Sequence, residues 1–329
     1  MQRQSEESPS LSIVLVTANR FASLRRTVRH LRAQSIREQL ELVIVAPSEA
    51  AVADLAAEEV AGFYDVRTVF VGPIDNVDRA GALGIQRASA PLVALVEDHT
   101  YPEPTWAEAV VAAQRGPWAV VGSAMVNANP RSLLSWSNLL IAYGRWSAPA
   151  EGGEVSSLPG HNVVYKREWL AGYGERLVEK VGREGGLLQE IKAKGGQFYL
   201  EPEARLHHTN PSTLRSTVAL RFNAGRLYGG MRAEQGAWSF GRRLLYIVGG
   251  VLIPLVRFVR VRRELFGSGQ RRELVPRVYL ALLFCLMLDG LGQVVGYAFG
   301  AGSSRETLAT FEMDRMRHVC PQERRAMLE

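Results

Sequence analysis

LVALVEDHTYP, Leu92 to Pro102, is the stretch on which the reading of this chain turns. Five apolar residues of strand type stop at Glu97, Asp98 and His99, three side chains able to hold a metal. Strand-end acids in most proteins face water, so the reading gains its weight from the flanks. Leu11 to Val16 reads as a buried strand that enters the polar turn Thr17-Ala18-Asn19-Arg20, and Phe21 to Gln34 has helical spacing. Leu40 to Ala46 is a second strand, followed by Pro47-Ser48-Glu49 and an expected helix through about Val60. Asp65 to Val71 reads as a third strand and Asp78 to Ala88 as a helix. Strands alternating with helices imply right-handed crossovers and a mainly parallel, Rossmann-like α/β sheet. Ligands of such sheets bind outside the carboxyl ends of the strands. That edge would gather Thr17 to Arg20, Ser48-Glu49 and Glu97 to His99.

The 329 residues suffice for one large domain, or for one domain with an appendage. An apolar content of 47% supports a core, and the formal charge is +6. Only four of the 39 basic residues are Lys. Arginine's planar fork suits phosphate, although Arg-rich usage also follows genomic base composition. The two cysteines, Cys285 and Cys320, have no motif spacing, which fits a reducing compartment. No nucleic-acid partner is expected. The polar start, residues 1–10, reads as a flexible leader without a secretory signal.

The second half begins less regularly, from Ser123 to Pro159, with Trp136, Tyr143 and Trp146. Aromatic residues so grouped fill cores more often than they stack sugars. Then comes PGHNVVYKREWL, Pro159 to Leu170, in which Gly160, His161 and Asn162 make a polar turn before a short strand. Beyond it lie Gly182-Arg183-Glu184, a helix through Lys194, a Gly195-Gly196 stop, a strand from Gln197 to Leu200, and Pro202 to His208.

In this order the elements resemble the family 2 glycosyltransferases, with their GT-A fold, over about Leu11 to Asn210. The Thr17 to Arg20 turn is similar to the family's first strand end. Glu97-Asp98-His99 with Pro102 resembles its Asp-x-Asp metal motif, and Gly160-His161-Asn162 its acceptor-side turn. Leu187 and Gly195 serve as landmarks that set Arg183-Glu184 on the family's Glu-Asp pair, and Pro202 to His208 resembles its later His-ending strand. Departures are plain: His99 replaces the last Asp, Pro47-Ser48-Glu49 replaces a nucleobase-reading Asp, and Arg79 alone stands near the usual Ala-Arg-Asn.

The resemblance implies an inverting transferase that moves one sugar from a nucleotide-sugar donor, a UDP-sugar, to a saccharide or polyprenyl-linked acceptor. It implies Glu184 as the base, and Gly160, His161 and Asn162 against the acceptor. Thr17, Asn19, Arg20, Glu49, Arg79, Glu97, Asp98 and Arg226 would contact the donor. Asp98, His99 and His208 would hold a divalent metal, with Mn²⁺ preferred over Mg²⁺ because imidazole is a softer ligand than carboxylate. Arg226 alone matches the Gln-x-x-Arg-Trp of processive synthases, which favours transfer of single sugars. The rivals are a processive polysaccharide synthase and a catalytically silent binding or scaffold module of the same fold.

Residues 11–210 are thus expected to form the catalytic domain, 211–302 an apolar helical appendage, and 303–329 a charged tail. Leu244 to Val256 is too short to span a bilayer, which takes about 20 apolar residues. Val278 to Phe299 is long enough but contains Asp289 and Gln293. Between them stand Arg257, Arg260, Arg262, Arg263, Arg271, Arg272 and Arg277, against Glu264 and Glu273. Two crossings would carry this basic loop outward, against the positive-inside rule. The expectation is therefore an appendage at the cytoplasmic face, its arginines on an anionic membrane surface. Soluble helical packing and a homo-oligomer interface are the alternatives.

Overall fold

The computed structural model describes residues 8–181, 186–267 and 275–328. Glu184, with Gly182 and Arg183, and the loop residues Arg271, Arg272 and Glu273 lie outside the described residues. The chain forms two compact units, residues 1–126 with 148–207, and residues 127–147 with 208–329.

The first unit is built on a mixed sheet. Its strands are β1 (Leu11–Val16), β2 (Leu40–Ala46), β3 (Asp65–Phe70), β4 (Leu92–Val96) and β5 (Thr100–Pro102). Then follow β6 (Val120–Asn127), β7 (Gly153–Val155), β8 (Val163–Lys166) and β9 (Phe198–His208). The order across the sheet is β3-β2-β1-β4-β8-β6-β9-β5, with β7 pairing β9 off this path. The division into units cuts β6 and β9 one residue before their ends, so Asn127 and His208 close strands of the sheet. Strands β1 to β4 pair in parallel, as the alternating pattern requires. β1 and β2 are buried along their whole length, which is why they are apolar but for Ser12 and Glu41 and do not alternate. Strand β8 then enters antiparallel to β4, with Val163 opposite Leu95 and Lys166 opposite Leu92.

The helices of this unit are α1 (Arg25–Arg32), α2 (Val77–Arg87) and α3 (Trp106–Ala113). After α4 (Leu133–Tyr143), which belongs to the second unit, come α5 (Glu168–Ala171), α6 (Leu177–Lys180) and α7 (Leu187–Ala193). The Asn76 side chain caps α2 by accepting from the amides of Asp78 and Arg79. The helix expected after Ser48-Glu49 is instead two 3₁₀ turns, Glu49–Val52 and Ala57–Glu59. Arg25 donates to the Asp54 carbonyl at 2.9 Å and to the Glu59 carboxylate at 2.6 Å, holding the chain in turns there. The region taken as irregular after Ser123 contains most of β6 and all of α4; small polar residues in GSAMVNAN hide the strand period.

Glu41 is fully buried at the start of β2. Its carboxylate accepts from the Ser12 hydroxyl, from the Ser89 amide at 2.7 Å and from the Ser89 hydroxyl at 2.9 Å, and it faces Arg67 at 3.3 Å. One buried charge thereby joins β1, β2, β3 and the entry to β4.

The second unit is helical: α4, α8 (Leu214–Gln235), α9 (Phe240–Val248), α10 (Ile253–Gly267), α11 (Val275–Phe299), α12 (Ser304–Met313) and α13 (Pro321–Leu328). Helices α8 and α11 touch through backbone. A Cβ on Gly225 would lie 2.0 Å from the Asp289 carbonyl oxygen, and one on Gly292 2.1 Å from that of Phe222. Only glycine allows so close an approach. The last helix is pinned by Glu323, a buried carboxylate that accepts from the Ser132 amide at 3.0 Å and from Asn129 Nδ2 at 3.1 Å.

Removing the Glu41 carboxylate strands the buried Ser12 donor and the partly buried Ser89 donors. Glu41→Ala is expected to lower stability by about 3 kcal/mol, read by denaturant titration. A loss below about 1 kcal/mol would mean that water takes over as the acceptor of those bonds.

Candidate active site

At the carboxyl end of β4 the chain leaves the sheet through Glu97, Asp98 and His99 and returns as β5. His99 is buried, whereas Glu97 and Asp98 are partly exposed. Thr27 on α1 donates to the Asp98 carbonyl at 2.7 Å, which holds the bend from the helix side. The turn before β8 holds it from the other. Asn162 has a positive φ of 57°, a conformation that Asn tolerates better than most residues. Its amide donates to the Leu95 carbonyl at 3.0 Å. Its side chain grips Glu97 twice: Oδ1 accepts from the Glu97 amide at 3.1 Å, and Nδ2 donates to Glu97 Oε2 at 2.5 Å. The first contact fixes the second, because a backbone N–H can only donate and so selects the amide oxygen.

Two imidazoles stand at the same edge. His99 Nδ1 lies 2.8 Å from Asp98 Oδ1, and its Nε2 lies 3.7 Å from Glu97 Oε2. His208, the last residue of β9, has Nδ1 2.9 Å from Asn210 Oδ1 and its ring edge-on to Tyr143. Asn210 Nδ2 donates to the Asn127 side chain at 3.1 Å and to the His208 carbonyl at 3.0 Å, so Oδ1 is left to accept from the ring. In both histidines Nδ1 thus meets an acceptor, which directs the lone pair of the neutral ring to Nε2. Glu97, His99 and His208 each offer a ligand atom, and these atoms lie within 4.8 Å of one another. One carboxylate and two imidazoles form a donor set of metal-site chemistry. Asp98, expected as a ligand from the sequence, sits behind the His99 ring as its hydrogen-bond acceptor.

Thr17 is buried, and its hydroxyl donates to the Arg20 carbonyl at 2.7 Å, shaping the turn that exposes Asn19 and Arg20. Glu49 and Arg79 are exposed, at the start of a 3₁₀ turn and in the first turn of α2. Arg226 lies on α8 in the second unit, where Nε donates to the Gly300 carbonyl at 3.1 Å. Gly160 precedes His161, which is buried and faces Asp78 at 3.3 Å. Burial, reinforced by the charge of Asp78, pushes the Tyr165 phenol well above its usual range. Asp78 and Asn210 escaped the sequence reading. The Asn76-x-Asp78 helix start was a signal for the first, and the second has none beyond standing two residues after a histidine.

An α/β domain with a mixed sheet, β4 ending in an acid-rich bend and β8 returning beside it is the GT-A fold. The family model for glycosyl transferase family 2 matches residues 12–174, just under half of the chain, and this segment is similar to that family, whose chemistry is glycosyl transfer. Among solved structures, that of S. aureus TarS 1–349 in complex with UDP is similar at 14% identity, over 88% of this chain and 92% of that one, with a TM-score of 0.47. No curated protein sequence matches the chain.

Asn162→Gly and Asn162→Ala both free Glu97, but only the alanine strains the positive φ. Both are expected to weaken Mn²⁺ binding about 10- to 100-fold by calorimetry. Asn162→Ala should also lower the unfolding temperature further than Asn162→Gly does. Wild-type affinity in Asn162→Gly would remove Asn162 from the site.

Proposed function

We propose that the protein is an inverting glycosyltransferase that moves a single sugar from a nucleotide-sugar donor to a saccharide or polyprenyl-linked acceptor at the cytoplasmic face of the membrane. The match of residues 12–174 to the family 2 model supports sugar transfer. The observation that carries the reading further is the group of Glu97, His99 and His208, with the Nδ1 atom of each ring facing its own acceptor.

The reaction asks the acceptor oxygen to attack the anomeric carbon while the bond from that carbon to the diphosphate oxygen breaks and its electron pair leaves with the diphosphate. Glu184 is the proposed base that takes the acceptor's proton; a carboxylate within hydrogen-bond reach suffices. Gly160, His161 and Asn162 would shape the acceptor side, with Asp78 setting the His161 ring. Asn19, Arg20, Glu49 and Arg79 are proposed for the donor, and Thr17 for holding the turn that presents two of them. The proposed metal ligands are Glu97, His99 and His208, with Asp98 orienting His99. A divalent cation held there supplies Lewis-acid neutralisation of the diphosphate, and two imidazoles suit Mn²⁺ better than Mg²⁺. For Arg226 the bond to Gly300 favours a structural part over contact with the donor. UDP is the nucleotide proposed first.

The test is calorimetric titration of the full chain with UDP and with GDP, each with Mn²⁺ and with EDTA. UDP binding that requires Mn²⁺ and is lost in His208→Ala is expected. Glu184→Gln should bind as the wild type does and lose transfer by 10² or more. Nucleotide binding indifferent to metal would end the cation reading. No nucleotide binding by folded protein would turn the assignment to a catalytically silent relative.

A further inference from the structure

The second unit leaves an apolar helix uncovered. α9, a 3₁₀ turn at Gly249–Leu252 and α10 follow one another through Phe240–Arg263, and only 11% of the most apolar window is buried. Leu245, Val248, Leu252, Leu255, Val256 and Val259 are all exposed at three- and four-residue spacing, hence on one face. Val251 is 77% exposed and Phe240 80%. The neighbouring α11 repeats this with Leu280, Phe284, Met287 and Leu291 exposed. A core helix of a soluble protein would be buried, and a monomer in water does not leave such a continuous face open.

The opposite face is engaged by protein. Gly250 abuts Val294, Gly290 abuts Pro254, and Val261 packs with Val278, Leu282 and Leu286. A polar line runs along this inner side. Arg257 pairs with the buried Asp289, Gln293 Nε2 donates to Asp289 at 2.8 Å, and Tyr297 donates to Gln293 at 3.3 Å.

Charge identifies what covers the outer face. Phe240 to Arg263 holds six arginines and no acid. Arg242 is exposed at one end, and Arg260, Arg262 and Arg263 at the other. A second copy packed on this face, in either direction, would set arginines against arginines. An anionic surface meets no such penalty. The whole run Phe240–Arg263 is, by length and composition, long and apolar enough to cross a bilayer, contrary to the expectation for Leu244 to Val256. The apolar stripe between its flanking arginines, Leu244 to Val259, nevertheless extends only about 23 Å at helical rise, short of the roughly 30 Å hydrocarbon core.

We infer that α9 and α10 lie in the plane of an anionic lipid bilayer, apolar face down and flanking arginines on the headgroups, without crossing it. This rests on the membrane-face reading above and is independent of the transfer chemistry. The test is flotation of the full chain with vesicles of phosphatidylcholine alone or with phosphatidylglycerol added. Binding is expected with the anionic vesicles and should weaken in high salt. It should fall about fivefold for each of Arg260→Gln, Arg262→Gln and Arg263→Gln. Leu252→Asp with Val256→Asp should abolish it with unchanged circular dichroism, since both positions are exposed. Alkaline carbonate should release the bound protein. Retention after carbonate would overturn the in-plane posture. Absence of vesicle binding, with self-association by sedimentation that Leu252→Asp disrupts, would assign the face to a second copy. Mn²⁺ and UDP titrations of the same variants keep the outcomes apart, because a failed nucleotide site leaves flotation untouched.

Discussion

Strand β8 lies antiparallel against β4, and the geometry at the sheet edge follows from that pairing. Its amino end begins beside the carboxyl end of β4, with Val163 opposite Leu95, so the Gly160–Asn162 turn has to come down over Glu97. A slip of one residue would turn each β8 side chain to the other face and take Asn162 off the carboxylate. Within that register the amide of Asn162 holds Glu97 by backbone and side chain together. A partly buried carboxylate is costly to keep in place unless bonded. Here the bond also sets its direction.

The same economy of polar groups runs through the edge. Each imidazole is steered by an acceptor at Nδ1, a carboxylate for His99 and an amide for His208, and that amide is itself oriented by the two acceptors it donates to. Such outer partners fix ring orientation before any ligand arrives, which is the condition for holding a cation tightly. Elsewhere in the first unit, Glu41 does for the strand starts what Asn162 does for a strand end: it binds several elements through one desolvated group.

The helical unit obeys different packing. Backbone contact at Gly225 and Gly292 brings α8 and α11 together by close approach, as in membrane helices, where burial of bulky apolar side chains drives little. The apolar side chains of α9 and α10 are then left on the outside. Polar atoms have moved inward instead, as the line from Arg257 through Tyr297 shows. The charged tail also turns inward, since Glu323 is buried against Asn129 and Ser132.

The strands β1, β2 and β4 were legible because buried parallel strands are mostly apolar runs, and the acid-rich bend because the β4 run stops so abruptly at Glu97. Periodicity also marked α2 and the glycine stop after α7. It failed after Ser48, where Arg25 imposes turns on a helix-forming composition, and in β6, whose small polar residues carry no alternation. Local sequence therefore determined the α/β class, the edge at which ligands gather, and the apolar character of the C-terminal helices. Tertiary structure alone decided that Asp98 meets the His99 ring and Asn210 the His208 ring, and which face of α10 is left open. Those choices depend on side-chain direction at a bend, at a strand end and on a packed helix, which no local period encodes.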